Sequence, residues 1–246
     1  MTPLERLADL IDEGRVPRDS GGYLDLLPPE TGKPATLAQA AMHNPIVAAI
    51  YERWWRPFGA AVLGLNGLGM DRERRAARKT LGLDGEQLVL DVACGPGNFT
   101  HDYGEALHGK GFAVGLDVSP PMLTRAVRDN SGERVAYLRA DARDLPFADG
   151  TFDAVSCFAA LYLVPEPFRV IDELVRVLAP GGRLAVLTSA RSGLGALRLP
   201  ENLLGATTGL RMFDRDEVTD VFDRHGMIDV RQRITGFAQF VSARKA

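Results

Sequence analysis

The stretch Val89-Leu90-Asp91-Val92-Ala93-Cys94-Gly95-Pro96-Gly97-Asn98-Phe99-Thr100 holds the residues best placed for chemistry. An apolar run enters a glycine turn and then a helix start. Glycines let backbone approach a ligand closely, and a helix N-terminus offers N–H groups to a carboxylate or phosphate. Val114-Gly115-Leu116-Asp117 follows and sets a carboxylate at the end of the next apolar run, where its two oxygens can accept both hydroxyl protons of a ribose. Together these features point to a nucleoside ligand. Thr100 stands where a dinucleotide fingerprint has Gly or Ala, which argues for a ligand without a pyrophosphate. A second acidic element, Ala140-Asp141-Ala142-Arg143-Asp144-Leu145-Pro146-Phe147, can offer a carboxylate to an adenine amino group. Asp91 has two open readings, capping or orienting the loop and touching the ligand.

These residues need strands to hold them. Runs at 88–92, 112–116, 135–138, 152–158 and 183–187 read as strands, and helical patterns at 100–107, 121–128 and 168–178 lie between them. The alternation predicts an α/β fold with a parallel sheet covered by helices on both faces. Beyond it, a helix at 215–224 is closed by Gly226, and runs at 228–234 and 237–243 meet through Thr235-Gly236 as a hairpin. Upstream, residues 3–13 have helical spacing, 14–34 form a loop-rich arm around the strand-like Tyr23-Leu24-Asp25-Leu26-Leu27, and Asn44-Pro45 starts a helix running to Trp55. A further helix is expected over 71–81.

With 246 residues, 46% hydrophobic and 25% charged, the chain can bury a substantial core. A net charge of −3 gives no general attraction to a phosphate backbone. The basic run Arg72, Arg74, Arg75, Arg78 and Lys79 is broken by Asp71 and Glu73 and reads as a solvated helix face, so no nucleic-acid partner is expected. Two cysteines, Cys94 and Cys157, sit in apolar runs and do not suggest a disulfide scaffold. His43, His101, His108 and His225 lack metal-ligand spacing, so no metal is expected. No run approaches the roughly 18 apolar residues of a membrane span, and a cytoplasmic location is expected.

The glycine turn, Asp117, Asp141 and Leu178-Ala179-Pro180-Gly181-Gly182-Arg183-Leu184 together resemble the class I S-adenosylmethionine-dependent methyltransferases, in the group similar to the ubiquinone and menaquinone biosynthesis enzymes (methyltransferase type 11). The resemblance implies a Rossmann-like, seven-stranded, mostly parallel sheet with the last strand antiparallel. It implies S-adenosylmethionine as cofactor and S-adenosylhomocysteine as product. Carried onto this chain, Ala93, Cys94, Gly95 and Gly97 face the methionine part and Asp117 takes the ribose. Val118 and Met122 line the adenine pocket, Asp141 and Ala142 meet its edge, and Phe158 follows the fourth strand. Ala93 stands where the family more often has glycine.

Tyr23-Leu24-Asp25-Leu26, Asn44-Pro45 and Tyr51-Glu52-Arg53-Trp54-Trp55-Arg56 further resemble a subgroup of plant plastid and bacterial methyltransferases whose N-terminal arm is similar to a zinc ribbon. Here that arm has no cysteine, so a metal-free remnant is expected. The expected organisation is an arm over 1–36, a helical cap segment over 37–84 and the methyltransferase domain over 85–246. The expected function is methyl transfer to a small lipophilic molecule, with 58–68 and 194–212 on the acceptor side. His43 and Tyr51 are the first groups to consider if a proton must leave. An RNA or protein methyltransferase, a non-catalytic adenosylmethionine-binding protein and an NAD-dependent oxidoreductase are the rival readings.

Overall fold

The computed structural model describes residues 1–28, 69–191 and 211–246. The helix expected over 44–55, with His43, Tyr51, Trp54 and Trp55, and the segments 58–68 and 194–210 of the expected acceptor side lie outside the described residues.

Helix α1 (Pro3–Ala8) opens with a capping box: Glu5 N–H donates to Thr2 Oγ1 (3.2 Å) and Thr2 N–H donates to Glu5 Oε2 (2.7 Å). It ends before the expected Glu13, because Leu10 and Ile11 pack on the core instead, Ile11 as a single bridge to Phe147. Strands β1 (Arg18–Asp19) and β2 (Leu24–Asp25) follow. After helix α2 (Met70–Leu81) come β3 (Leu88–Val92), α3 (Asn98–Ala106), β4 (Phe112–Asp117), α4 (Pro120–Asn130) and β5 (Val135–Arg139). The chain continues through β6 (Phe152–Phe158), a 3-10 turn at Leu161–Leu163, α5 (Pro167–Val177), β7 (Leu178–Ser189), α6 (Glu217–Arg224), β8 (Ile228–Thr235) and β9 (Ala238–Arg244).

The sheet order is β1-β2-β5-β4-β3-β6-β7-β9-β8. Strands β2, β5, β4, β3, β6 and β7 pair in parallel, and β9 runs antiparallel to both neighbours. The expected seven strands are all present, and the N-terminal arm lengthens the sheet by two at the β5 edge. Strand β7 starts earlier than the expected Arg183, because Ala179 to Gly182 bulge out of register between the pairs Phe152–Leu178 and Ala154–Arg183.

Side chains alternate between the two faces of the sheet, as the pleat requires. Leu90, Val114, Leu138, Val155 and Leu184 pack on one side with α1, α5 and α6. On the other, Val89, Ala113, Ala154 and Ala185 pack with α2 and α3, and Val135 and Tyr137 pack with α4. Helix α5 buries Val170, Ile171, Leu174, Val175 and Val177 on one stripe, each stabilising the fold by about 1.5–3 kcal/mol. Leu7 is fully buried in the same core, so α1 is built into the domain. Among the described residues, no helix is long and apolar enough to cross a membrane.

Candidate functional site

The carboxyl ends of β3, β4, β5 and β6 gather the residues singled out above. In the turn after β3, Ala93 (φ 57°), Gly95 (φ 55°) and Gly97 (φ 81°) all adopt left-handed backbone. Cys94 N–H donates to Leu116 O and Gly97 N–H to Cys94 O, both at 3.0 Å, and α3 begins at Gly97 without a side-chain cap. The turn therefore offers backbone to a ligand. At Gly95 an added Cβ would meet nothing within 4 Å, so open space adjoins the peptide.

Ala93 sits where L side chains are strained, which accounts for the family's frequent glycine there. Relief of strain, less the larger chain entropy of glycine, predicts that Ala93→Gly stabilises the fold by about 0.5 kcal/mol or less. Urea unfolding checks this, and any clear loss of stability contradicts it.

Asp117, nearly buried at the end of β4, accepts from Gly95 N–H through Oδ2 (2.8 Å) and from Ser119 N–H through Oδ1 (2.9 Å). Its carboxylate is thus aimed at the glycine turn. Val118 is 36% exposed despite being apolar, whereas Met122 in the first turn of α4 is buried.

Asp91 resolves toward an orienting role. Thr100 Oγ1 donates to its Oδ2 (2.7 Å) and Ser156 Oγ to its Oδ1 (2.8 Å), and Tyr103 OH donates to Ser156 Oγ (3.3 Å). This buried group ties β3 to α3 and β6. Thr100, which departs from the dinucleotide fingerprint, is used to hold Asp91. Burial pushes Asp91 up to about 6, against the hydrogen bonds from Thr100 and Ser156.

Asp141 and Ala142 follow β5. Arg143 grips the Asp141 carboxylate through Nε (3.0 Å to Oδ1) and Nη2 (2.7 Å to Oδ2), while its own N–H donates to Oδ1. Burial raises Asp141, but Arg143 outweighs it and holds the carboxyl below its usual range. Arg143 Nη1 also reaches Glu166 (2.9 Å). Ala142 packs against the core, and Phe158 stacks edge-on with Phe99 at 5.2 Å between ring centroids. The Cys94 side chain packs beside Tyr23, Leu123 and Tyr137, which leaves its backbone to face the turn, and burial pushes its thiol up.

Tyr137, absent from the sequence-derived site, supports the glycine turn from behind. A Cβ on Gly97 would come within 2.4 Å of its hydroxyl, and one on Gly115, its register partner on β4, within 2.7 Å of its ring. Tyr137 OH donates to Asn130 O, and Asn130 Nδ2 donates to Pro96 O, both at 2.7 Å. A lone glycine inside the buried β4 run was the available signal, since it marks a close approach.

The remaining candidates fall elsewhere. His225 caps the C-terminus of α6 and meets Asp172 at 2.7 Å. Cys157 is buried in the core and both cysteines are free thiols. In the basic run, Arg78 pairs with Asp102 (3.4 Å) and Arg74 reaches Asn98 (3.5 Å), so two of its cations fasten α2 to α3. Among the described residues no group of three or more His, Cys, Asp or Glu could hold a metal ion.

A parallel sheet with a glycine turn after β3 and an acidic residue ending β4 defines a Rossmann-like nucleoside-binding protein. Residues 90–186 match the methyltransferase domain family. The match runs from β3 into β7, so this part of the chain is a methyltransferase domain, similar to those of the demethylmenaquinone methyltransferases described next.

A demethylmenaquinone methyltransferase of Thermus thermophilus is 42% identical over 113 residues, covering 45% of this chain and 51% of that protein. An uncharacterized chloroplastic methyltransferase of Arabidopsis thaliana is 32% identical over 213 residues, covering 82% of this chain and 58% of that protein. The matches thus span about half the length of these curated relatives.

Among solved structures, a SAM-dependent methyltransferase from Aquifex aeolicus has a TM-score of 0.60 at 21% identity, covering 82% of this chain and 99% of that one. A Haemonchus contortus phosphoethanolamine N-methyltransferase in complex with S-adenosyl-L-methionine has a TM-score of 0.64 at 16% identity, covering 80% and 59%. The same fold also occurs in a [4+2]-cyclase (TM-score 0.58, 23% identity, covering 71% and 81%), so architecture alone does not fix a reaction.

Proposed function

We propose that the protein transfers the methyl group of S-adenosylmethionine to a small lipophilic acceptor by in-line displacement. The observation that carries this reading is the Asp117 carboxylate held against the Gly95 amide, beside a left-handed turn with open space over it. A ribose fits that carboxylate, and a zwitterionic amino-acid tail fits the backbone of residues 93–97.

In this reading Asp117 binds the two ribose hydroxyls, Val118 and Met122 flank the adenine, and Asp141 with Ala142 meets its edge. Phe158 closes the site beside Phe99. The cofactor's sulfonium supplies an already activated methyl group, so the chain's task is to align the acceptor and exclude water. Where the acceptor atom carries a proton, His43 and Tyr51 are the groups to substitute first. Similarity to demethylmenaquinone methyltransferases supports a quinone-like ring as the acceptor class. The Arg78–Asp102 ion pair that fastens α2 to α3 weighs against an RNA acceptor at that helix.

Parallel calorimetric titrations with S-adenosylmethionine, S-adenosylhomocysteine and NAD test the reading. Micromolar binding of the first two without NAD is the expected result, and binding of NAD alone, or of none, refutes it.

A further inference from the structure

Arg139 is an unusual residue for the end of a central strand, being 3% exposed on β5. In register it lies between Asp25 of β2 on one side and Asp117 of β4 on the other. Its Nη1 donates to Asp25 Oδ2 (3.1 Å) and Oδ1 (3.3 Å), and its Nε donates to Val118 O (3.1 Å). Asp25 is itself buried and also accepts from Leu27 N–H (2.9 Å), while Leu26 N–H donates to Arg139 O (3.0 Å). The arm is seated next to this pair: Tyr23 packs against Leu123, Ala126 and Tyr137, and Gly22 lies so close to Val127 that a Cβ would come within 2.7 Å.

A buried ion pair roughly breaks even against a well-packed apolar pair, so stability alone does not call for arginine here. The planar guanidinium does what an apolar residue cannot. It spans two elements at once, with one end on the arm's carboxylate and the other on the carbonyl that follows Asp117.

We propose that the N-terminal arm is a working part of the cofactor site, and that Arg139, oriented by Asp25, is a positioning residue that fixes the Asp117–Ser119 turn. The turn is held from both sides: Asp117 Oδ1 takes the Ser119 amide, and Arg139 takes the Val118 carbonyl. Adenosine contacts at Asp117 and Val118 then depend on a residue 92 positions upstream of Asp117 that never touches the cofactor. The inference rests on the cofactor reading above.

The test is calorimetric titration of S-adenosylhomocysteine into wild type, Arg139→Lys and Asp25→Asn, well below their melting temperatures and with folding confirmed by circular dichroism. Lysine keeps the charge beside Asp25 but cannot also reach Val118 O. Its Kd is expected to rise about five- to tenfold, within the usual range of coupling between sites. A merely structural role lowers the melting temperature and leaves Kd unchanged, and that result overturns the proposal.

Coupling is reciprocal, so hydrogen exchange on unmodified protein supplies a second readout independent of variant folding. S-adenosylhomocysteine is expected to slow exchange at the Leu26 and Leu27 amides, and no slowing there overturns the proposal. Absence of binding by wild type instead removes the cofactor reading itself, so the two failures are distinguishable.

Discussion

Asp117→Ala is expected to weaken S-adenosylhomocysteine binding by about 100-fold or more. Each hydrogen bond to a charged group contributes about 1.5–3 kcal/mol, and two ribose hydroxyls would lose theirs together. The substitution also releases the Gly95 and Ser119 amides, so the turn loses an anchor as well as a ligand contact. Asp117→Asn should fall between alanine and wild type. It keeps one acceptor but turns a donor toward an amide that already donates. Calorimetry on protein shown to be folded measures both variants, and an unchanged affinity for the alanine variant removes the ribose assignment.

The second large effect is on stability. Asp91 titrates near 6 in the folded protein because burial penalises its charge, against an ordinary value of 3.8. The folded state therefore holds the proton where the unfolded state has lost it, and stability falls as pH rises through that window. The loss amounts to about 3 kcal/mol between about pH 4 and pH 6, and the curve for this group is flat above. Asp141 works in the opposite sense, because Arg143 lowers it and its contribution is lost on acidification.

Asp91→Asn removes the buried charge while keeping an acceptor for Thr100 and a donor for Ser156. Its advantage over wild type should accordingly grow from about pH 4 to pH 6 and persist at higher pH. Urea unfolding of both proteins across that range isolates the effect as a difference. A constant offset between them would show that Asp91 does not titrate as its surroundings require.

Much of this was legible in the chain because its signals are local. The strand over Phe152–Phe158 has the bounds the apolar run announces, and the glycine turn, Asp117 and Asp141 meet at one edge as their positions after successive strands demand. What escaped is long-range. Nothing near Arg139 in sequence announces that Asp25 will neutralise it from 114 positions away. Tyr137 reads as an ordinary strand aromatic until Gly97 and Gly115 are found against it. The bulge at Ala179 to Gly182 escaped for another reason: its proline and glycines read as a break between a helix ending at Leu178 and a strand beginning at Arg183, yet Leu178 already pairs and pairing resumes beyond them.

The placement of β9 between β7 and β8 bears on how the chain matures. Strand β8 is made before β9, yet in the sheet it touches only β9, so for a time it has no place to go. During that time the β7 edge is open and apolar, with Leu184 and Val186 on one face and Ala185 on the other. The waiting strand is dominated by exposed positions and carries Arg231 and Arg233, a composition that discourages a nascent neighbour from pairing with it. Topology thus makes cover of the β7 edge depend on β9, and leaves at the sheet's outer edge a strand whose arginines discourage further pairing.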